Sequence, residues 1–376
     1  MIFERVLDEL KDKKERRESG KVNAIPFPFK RFGKVLPGVE QAKYYNVTAN
    51  SKVGKTQLAD FLFVYSTIKY YVEQGIKEGI KLKIFYFSLE MSKEEKMKQL
   101  ISYFLFIKKK LLLSPTKLES KFENYILEDE IVTFLEEEKE FFAAFESIVE
   151  FHDTTRNPYG IYKTVREYAY TNGDYFDKTA NKLDIEEIKR SNRDVTFKID
   201  HYKAHNPDEY VIIMIDHISL ITPEKGSTLH QSMTKLSGDY LLHMRDKWKY
   251  IPVIVQQQAA DSEKQQFTHS GQSMVNKIKP SPDGLGNNKE IGRDCNYMLG
   301  LFSPNRYDIK SYGGYDLTRL KDSHRDLSII FSRHSSGSQS VGLLFLGAVN
   351  YFEELPKQME EKNYILIKTL QDKMKT

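Results

Sequence analysis

An α/β fold, with a mainly parallel twisted sheet covered by helices on both faces and an antiparallel extension at its C-terminal end, is predicted by three features of this chain. Short apolar, β-prone runs recur between Tyr44 and Phe302, and segments with helical spacing stand between several of them. Strands alternating with helices argue for a parallel sheet. The first of those runs leads into residues 49–56, Ala-Asn-Ser-Lys-Val-Gly-Lys-Thr, a phosphate-binding loop in all but its first glycine. A strand, a tight loop and a helix N-terminus are the context that motif needs. The chain has 376 residues, enough for one large domain with an appendage.

The elements follow in order. Residues 1–19 read as one amphipathic helix with Ile2, Val6 and Leu10 on a stripe and a charged tail through Arg17. It either packs on its own domain or acts as a linker helix docking on a neighbouring subunit, and the sequence leaves both open. Gly20 ends it, and a lead-in punctuated by Pro26, Pro28, Gly33, Pro37 and Gly38 opens a domain spanning 20–376. A strand at 44–48 precedes a helix at 56–73, with Leu58, Phe61, Leu62, Tyr65, Ile68 and Val72 at helical spacing. A strand from Lys83 to Ser88 precedes a helix near 92–107, carrying Met97, Leu100, Ile101 and Phe104 on one face, and Ser92 with Glu95 reads as its capping box. The Lys- and Glu-rich stretch 108–145 reads as a helical insertion on the surface. Strands are expected at 146–152, 210–215, 251–256 and 297–302. Leu327 to Phe331, Val341 to Phe345 and Val349 to Phe352 predict a closing antiparallel meander.

Composition narrows the classes. Lysine and arginine exceed acids by 57 to 53, a net charge of +4, so the chain is not built to coat nucleic acid by charge alone. Cys295 is the only cysteine, which excludes an internal disulfide and a cysteine-based zinc site. Apolar runs such as Val211 to Ile215 fall far short of the ~20 residues that span a bilayer, so no membrane partner is expected. Glu4, Arg5, Asp8 and Glu9 argue against a signal peptide, and a reducing, cytoplasmic setting is the expectation. His243 and His269 show no metal spacing, and Lys108-Lys109-Lys110 reads as a solvated helix end.

The chemistry starts from the loop. Backbone N–H groups of Ala49, Asn50, Ser51, Lys52, Val53 and Gly54, with the positive end of the following helix, are expected to cradle the phosphates of ATP. Lys55 reaches the β/γ-phosphates, and the hydroxyl of Thr56 holds Mg²⁺. Tyr210 to Asp216 is an apolar run of parallel-strand type ending in an acid. Ligands of open parallel sheets bind beyond the carboxyl ends of the strands, which assigns Asp216 to the Mg²⁺ site. Phe85 to Ser88 also runs to a carboxylate, Glu90, a candidate base to orient the attacking water.

Several runs together resemble DnaB-like replicative helicases. Ser88-Leu89-Glu90-Met91 at the end of the second core strand matches that family's signature, and Ala49 stands where its loop also has alanine. Ser51 departs from its usual proline. Ile215-Asp216-His217-Ile218-Ser219-Leu220-Ile221 is similar to the family's Ile-Asp-Tyr-Leu-Gln-Leu-Ile. Pro252 to Gln258 is similar to its strand ending in a phosphate-sensing glutamine; counting from the proline selects Gln258, with Gln257 next. Leu285 to Asn296 resembles its DNA-facing loop and helix only at Ile291 and Asp294. Phe331-Ser332-Arg333, Gly337 and Phe345-Leu346-Gly347 resemble its closing motif.

The resemblance covers roughly residues 20–355. It implies a RecA-like, Mg²⁺- and ATP-dependent motor that forms a homo-oligomeric, hexameric ring, moves on single-stranded DNA and unwinds duplex 5′→3′. It implies Glu90 as catalytic base and Arg333 as an arginine finger for the adjacent subunit's site. Two departures stand out: the family's lysine two residues before the finger is Phe331 here, and no counterpart of its N-terminal primase-binding domain is visible. A primase or loader remains an implied partner. DNA contacts are assigned to Lys225 in the loop after Asp216, and to Lys264, Lys277, Lys279 and Lys289 in the stretch from Asp261 to Lys289. The rival readings are a recombination or mediator ATPase of the same core, a monomeric nucleotide kinase, and a ring scaffold that hardly turns over ATP.

Overall fold

Strands that are buried on both faces dictate the centre of the molecule. In the computed structural model, which describes residues 2–190, 199–264, 274–333 and 339–357, six strands run parallel: β1 (Tyr45–Ala49), β2 (Lys81–Ser88), β3 (Val149–His152), β4 (Glu209–Asp216), β5 (Ile251–Gln257) and β6 (Tyr297–Phe302). Every position of β1 and β4 is buried, which is why β4 reads as an unbroken apolar run from Tyr210 to Ile215, while β1 buries the polar Asn46 and Thr48 against Gln256 of β5 and Gln258 just past it. Three antiparallel strands, β7 (His324–Ser332), β8 (Ser340–Leu346) and β9 (Tyr351–Glu354), complete a nine-stranded sheet in the order β9-β8-β7-β6-β1-β5-β4-β2-β3. The mainly parallel sheet with a C-terminal antiparallel extension matches the expectation from sequence.

Alternation along each strand splits the core in two. Val47, Ile84, Ile212 and Val253 face one layer, with Leu58 and Leu62 packed on them. Phe85, Ile213, Ile215 and Ile254 face the other, with Met244 and Trp248 above. One helical rod covers the first layer. It starts with α2 (Lys55–Asp60) and continues through Phe61–Tyr65, Ser66–Tyr70 and Tyr71–Gly75, the second and fourth stretches wound as wider π-turns. That widening turns Val72 out to half exposure, so the buried stripe ends at Ile68.

Two expectations, at 146–148 and at Val349, need adjustment. Residues 146–148 belong to a helix, Lys139–Ile148, and not to the strand; Phe145 and Ile148 sit on its buried face against the first core layer. The insertion is helical at Pro115–Leu118 and Asp129–Glu137, and it packs Leu113 and Ile131 against Leu105 of α3 (Lys93–Lys109). Val349 lies in a short 3₁₀ turn before β9. A two-stranded ribbon, Gly173–Phe176 with His201–Ala204, lies beside the helix α4 (Pro158–Thr171) and has no counterpart in the sequence reading.

α1 (Ile2–Glu18) is tethered near its end, where Arg16 pairs with Asp208 and Lys21 follows at 3.2 Å, and the Asn23 side chain donates to the Lys13 carbonyl at 3.0 Å. Phe3, Val6, Leu7 and Leu10 are exposed within the chain, so its apolar stripe is not packed on its own domain.

Candidate functional site

The phosphate-binding loop joins the carboxyl end of β1 to α2, and its shape depends on a glycine. Gly54 has φ 102°, and a Cβ there meets the Phe345 ring at 2.9 Å, so both backbone and space exclude a side chain. Lys52 is also left-handed, at φ 56°. The loop is braced from behind. Asn50 donates to the Tyr307 hydroxyl at 2.6 Å and to the Ile278 carbonyl at 3.2 Å. Arg306 takes the Ser51 carbonyl, and Arg325 donates its Nε to the Val53 carbonyl at 2.7 Å. Arg325 is 2% exposed and its guanidinium lies 4.7 Å from the Phe345 ring centre. With two loop carbonyls held outward, the loop amides at the start of α2 remain for an anion. Lys55 is half-buried and, among the described residues, has no recorded acid partner.

The acids come from neighbouring strand tips. β2 and β4 are adjacent and in register, Ser88 opposite Asp216, so Glu90 lies just past the level of Asp216 at the same edge. β5 stands between β4 and the loop strand, with Gln257 opposite Ala49. Asp216 is fully buried, and the Thr56 hydroxyl donates to its Oδ1 at 2.9 Å. Its Oδ2 accepts from Lys96 Nζ at 3.1 Å, with the Tyr86 hydroxyl 3.4 Å away. Burial pushes the Asp216 carboxyl up, but Lys96 and Thr56 more than offset it, and the group is held below the usual aspartate range. Glu90 is exposed. His217 lies among these groups: burial first, then Lys55, lowers its pKa, while Asp216 and Glu90 act the other way. Its Nδ1 is 2.6 Å from the Ser219 hydroxyl.

A hydroxyl and an ionised carboxylate in direct contact at the foot of a phosphate loop make an oxygen donor pair that suits Mg²⁺. The residues present therefore fit a metal–nucleotide, with Thr56 and Asp216 as its protein-side oxygens.

Two glutamines separate clearly. Gln258 is 2% exposed and its amide is already used, donating to the Thr48 hydroxyl at 2.9 Å and to the Ser281 carbonyl at 3.2 Å, and accepting from Ser281 N at 3.3 Å. Gln257, one residue earlier and on the opposite strand face, is half-buried with no recorded side-chain partner among the described residues. The free amide at this strand end is thus that of Gln257.

Arg333 stands elsewhere. β7 runs antiparallel to β6, so Ser332 pairs with Tyr297, and Tyr297 pairs with Tyr45 at the start of β1. At ~3.3 Å per residue, Arg333 is about 13 Å or more along the sheet from the loop that follows Ala49. It is exposed, with Nε 3.1 Å from the Cys295 carbonyl and its guanidinium also on the Arg293 carbonyl. Phe331 packs half-buried against the second core layer. Gly337 lies outside the described residues.

The lysines assigned to DNA do not behave alike. Lys225 and Lys277 are exposed without a recorded acid among the described residues. Lys264 pairs with Asp261 at 2.7 Å and Lys289 with Asp283 at 3.1 Å, both at the surface. Lys279 is half-buried, 4.8 Å over the Tyr312 ring. His269 and Gly271 lie outside the described residues. Among those described, no helix is long and apolar enough to cross a membrane.

No protein-family profile and no curated protein matches the sequence. Solved structures do match its fold. The ATPase domain of the protein G-40P superimposes with a TM-score of 0.63 at 17% identity, covering 93% of this chain and 99% of that one. A DnaB-like replicative helicase, solved with attention to its interactions with primase, superimposes with a TM-score of 0.59 at 17% identity, covering 91% of this chain and 66% of that one. This chain thus spans about two thirds of the second neighbour's length. The fold is the RecA-like α/β fold of DnaB-like ATPase domains.

Proposed function

We propose that this chain is the ATP-hydrolysing motor of a DnaB-like replicative helicase: a ring, hexameric by the resemblance, that moves on single-stranded DNA and unwinds duplex. The observation that carries this reading is the split of the chemistry between two sheet edges. Lys55, Thr56, Asp216 and Glu90 share the carboxyl edge of the parallel strands, while Arg333 stands at the opposite edge, out of reach of its own loop. Such a chain completes a nucleotide site by meeting a second copy head to tail, a contact that repeats into a ring where its rotation closes and into a filament where it does not; the resemblance selects the ring.

Within the site, Lys55 and the loop amides bind and orient the triphosphate. Bound Mg²⁺ supplies charge neutralisation of the phosphate oxygens. Thr56 and Asp216 fix its position, Glu90 accepts the proton of the attacking water, and Gln257, in place of the sequence choice Gln258, reports the γ-phosphate to the stretch that follows β5. That stretch carries Lys264, Lys277, Lys279 and Lys289, and the loop after β4 carries Lys225. Of these, exposed Lys225 and Lys277 are the first contacts for a DNA backbone, giving binding indifferent to base sequence and weakened by salt. A primase or loader is the outside partner this reading implies.

The test is an ATPase assay with and without single-stranded DNA, beside strand displacement on a fork with a 5′ tail. Stimulation by DNA and displacement are expected from the wild type, and neither from Lys55→Ala. Annealing or pairing without displacement favours a recombination ATPase instead. A monomer that transfers phosphate to an acceptor favours a nucleotide kinase.

Ring closure is assigned to α1. Its first turns join exposed Phe3, Val6, Leu7 and Leu10 with Glu4, Asp8 and Glu9. A cavity of about 850 Å³ between α4 and the helix Leu242–Trp248 offers the complement: Tyr162, Tyr240 and Trp248 stacked together, with Lys163, Arg166 and Lys247 around them. Removing residues 1–12 keeps the Arg16–Asp208 tether and is expected to reduce the oligomer to small species by light scattering. Trp248 is the only tryptophan, so its emission should shift with assembly in the full chain and not in the truncated one. An unchanged oligomer after truncation removes α1 from the interface.

A further inference from the structure

Behind Asp216 lies a charged cluster that the chemistry above does not use. Lys96, on the first turn of α3, places Nζ 3.1 Å from Asp216 Oδ2 and 3.1 Å from Asp60 Oδ2. The Tyr86 hydroxyl, on β2, lies 2.7 Å from Asp60 Oδ1, and Lys96 Nζ sits 4.9 Å over the Tyr86 ring. Asp60, Tyr86, Lys96 and Asp216 are each no more than 3% exposed. Four elements therefore commit a buried acid–base–acid group to one point, directly beneath the phosphate loop.

The cluster divides the Asp216 carboxylate. Oδ2 is fixed from the interior by Lys96, with the Tyr86 hydroxyl 3.4 Å away and its one proton directed at Asp60, 2.7 Å off, and Oδ1 is left to Thr56. Groups that orient a metal's carboxylate contribute to metal affinity because an unheld carboxylate rotates and loses its directed oxygen. Lys96 is too buried to meet a phosphate. Its partner Asp60 is likewise sealed, so the pair acts on a ligand only through Asp216.

We propose that Lys96, held by Asp60 and Tyr86, is a positioning residue that keeps the Asp216 Oδ1 turned toward the metal–nucleotide. This rests on the reading of Thr56 and Asp216 as the Mg²⁺ site. The competing account is a buried ion pair that only fastens α2 and α3 to the sheet. The two accounts separate in Asp60→Leu/Lys96→Met, which removes the interhelical pair together and strands no charge on either helix, while Asp216 on β4 loses its cation and keeps the Thr56 and Tyr86 hydroxyls as donors.

The experiment titrates Mg²⁺ against binding of a fluorescent, non-hydrolysable ATP analogue to the full-length chain, with thermal midpoints measured without metal or nucleotide. Lys96→Met is expected to raise the half-saturating Mg²⁺ concentration roughly tenfold or more. The double variant, with its midpoint restored towards wild type, is expected to keep that raised requirement. Tyr86→Phe, which removes one hydroxyl and no charge, should raise it a few-fold and serves if either charge variant does not fold. A double variant or Tyr86→Phe that binds Mg²⁺ at the wild-type concentration overturns the proposal and leaves the fastening account. Wild type that binds the analogue without any Mg²⁺ dependence overturns the site reading itself, a distinguishable failure.

Discussion

Glu90→Gln lowers the DNA-stimulated ATPase rate by roughly 10²–10⁴-fold, the range that a positioned base contributes, while nucleotide binding stays within a few-fold of wild type. The effect is large because, among the described residues, the two acids packed beside the loop, Asp216 and Asp60, are not free to take the proton. Asp216 has both oxygens engaged, one by Thr56 and one by Lys96. Asp60 is sealed beneath α2. Glu90 is exposed just past the level of Asp216, so the isosteric amide removes the base without opening the core. Surface substitutions of this kind stay within about 0.5 kcal/mol in stability. Among the described residues the competing group is His217, half-buried beside Lys55 and Glu90 with its pKa lowered by burial. A Glu90→Gln rate within threefold of wild type, measured by phosphate release at saturating ATP, transfers the proton-accepting role to His217. Retained binding of the fluorescent analogue by the same protein separates a chemical defect from a lost fold.

The parallel strands were legible because burial on both faces leaves a run with no polar alternation, as Tyr210 to Ile215 shows. The closing meander was legible from apolar runs separated by polar or glycine-containing stretches. Helix and strand could not be told apart at 146–148, where the last turn of a helix runs without a break into β3. The ribbon Gly173–Phe176 with His201–Ala204 escaped notice because its second strand, His-Tyr-Lys-Ala, carries little apolar signal.

The site divides the same way. Lys55, Thr56, Asp216 and Glu90 are read from short local patterns, each needing only its own strand tip or helix start. Lys96, Asp60, Arg306 and Arg325 act across long stretches of sequence, and their partners are invisible before folding. A signal for Lys96 existed: it stands four residues before Leu100 and eight before Phe104, on the buried stripe of α3, where a lysine needs an acid. Asp60, one acid inside the apolar run Leu58 to Tyr65, is the matching anomaly. The choice between Gln257 and Gln258 turned on strand parity. Gln256 and Gln258 share the buried face with Asn46 and Thr48, so counting from a proline lands one residue off the free amide.

Arg333→Ala is expected to abolish turnover in every homogeneous ring and to be rescued in mixed ones. A finger of this type is worth ~10³–10⁵ in rate, so the single variant alone reads as inactive, like Glu90→Gln. Mixing distinguishes them. In a ring built from equal amounts of both variants, a site with an intact Glu90 meets a neighbour with an intact Arg333 at about one interface in four, if subunits alternate at random around a head-to-tail ring. The mixture should therefore recover activity up to roughly that share of wild type, orders of magnitude above either parent. The geometry permits no alternative source of rescue within one chain, because Ser332 is registered through Tyr297 to the far end of β1. Arg333 rests at the surface with its guanidinium on the Cys295 and Arg293 carbonyls and its own N–H on the Asn296 carbonyl at 3.1 Å, so service to a neighbour requires the exposed side chain to exchange those two carbonyls for the phosphate while its backbone stays fixed. The adjacent Phe331 leaves this guanidinium without the lysine that accompanies it in the resembling family, which makes the loss on Arg333→Ala complete instead of partial. Well-mixed oligomers, verified by exchange of differently labelled subunits, that stay as inactive as the parents would show that Arg333 does not serve a neighbour's nucleotide. The chain would then read as a ring or monomer whose sites work alone.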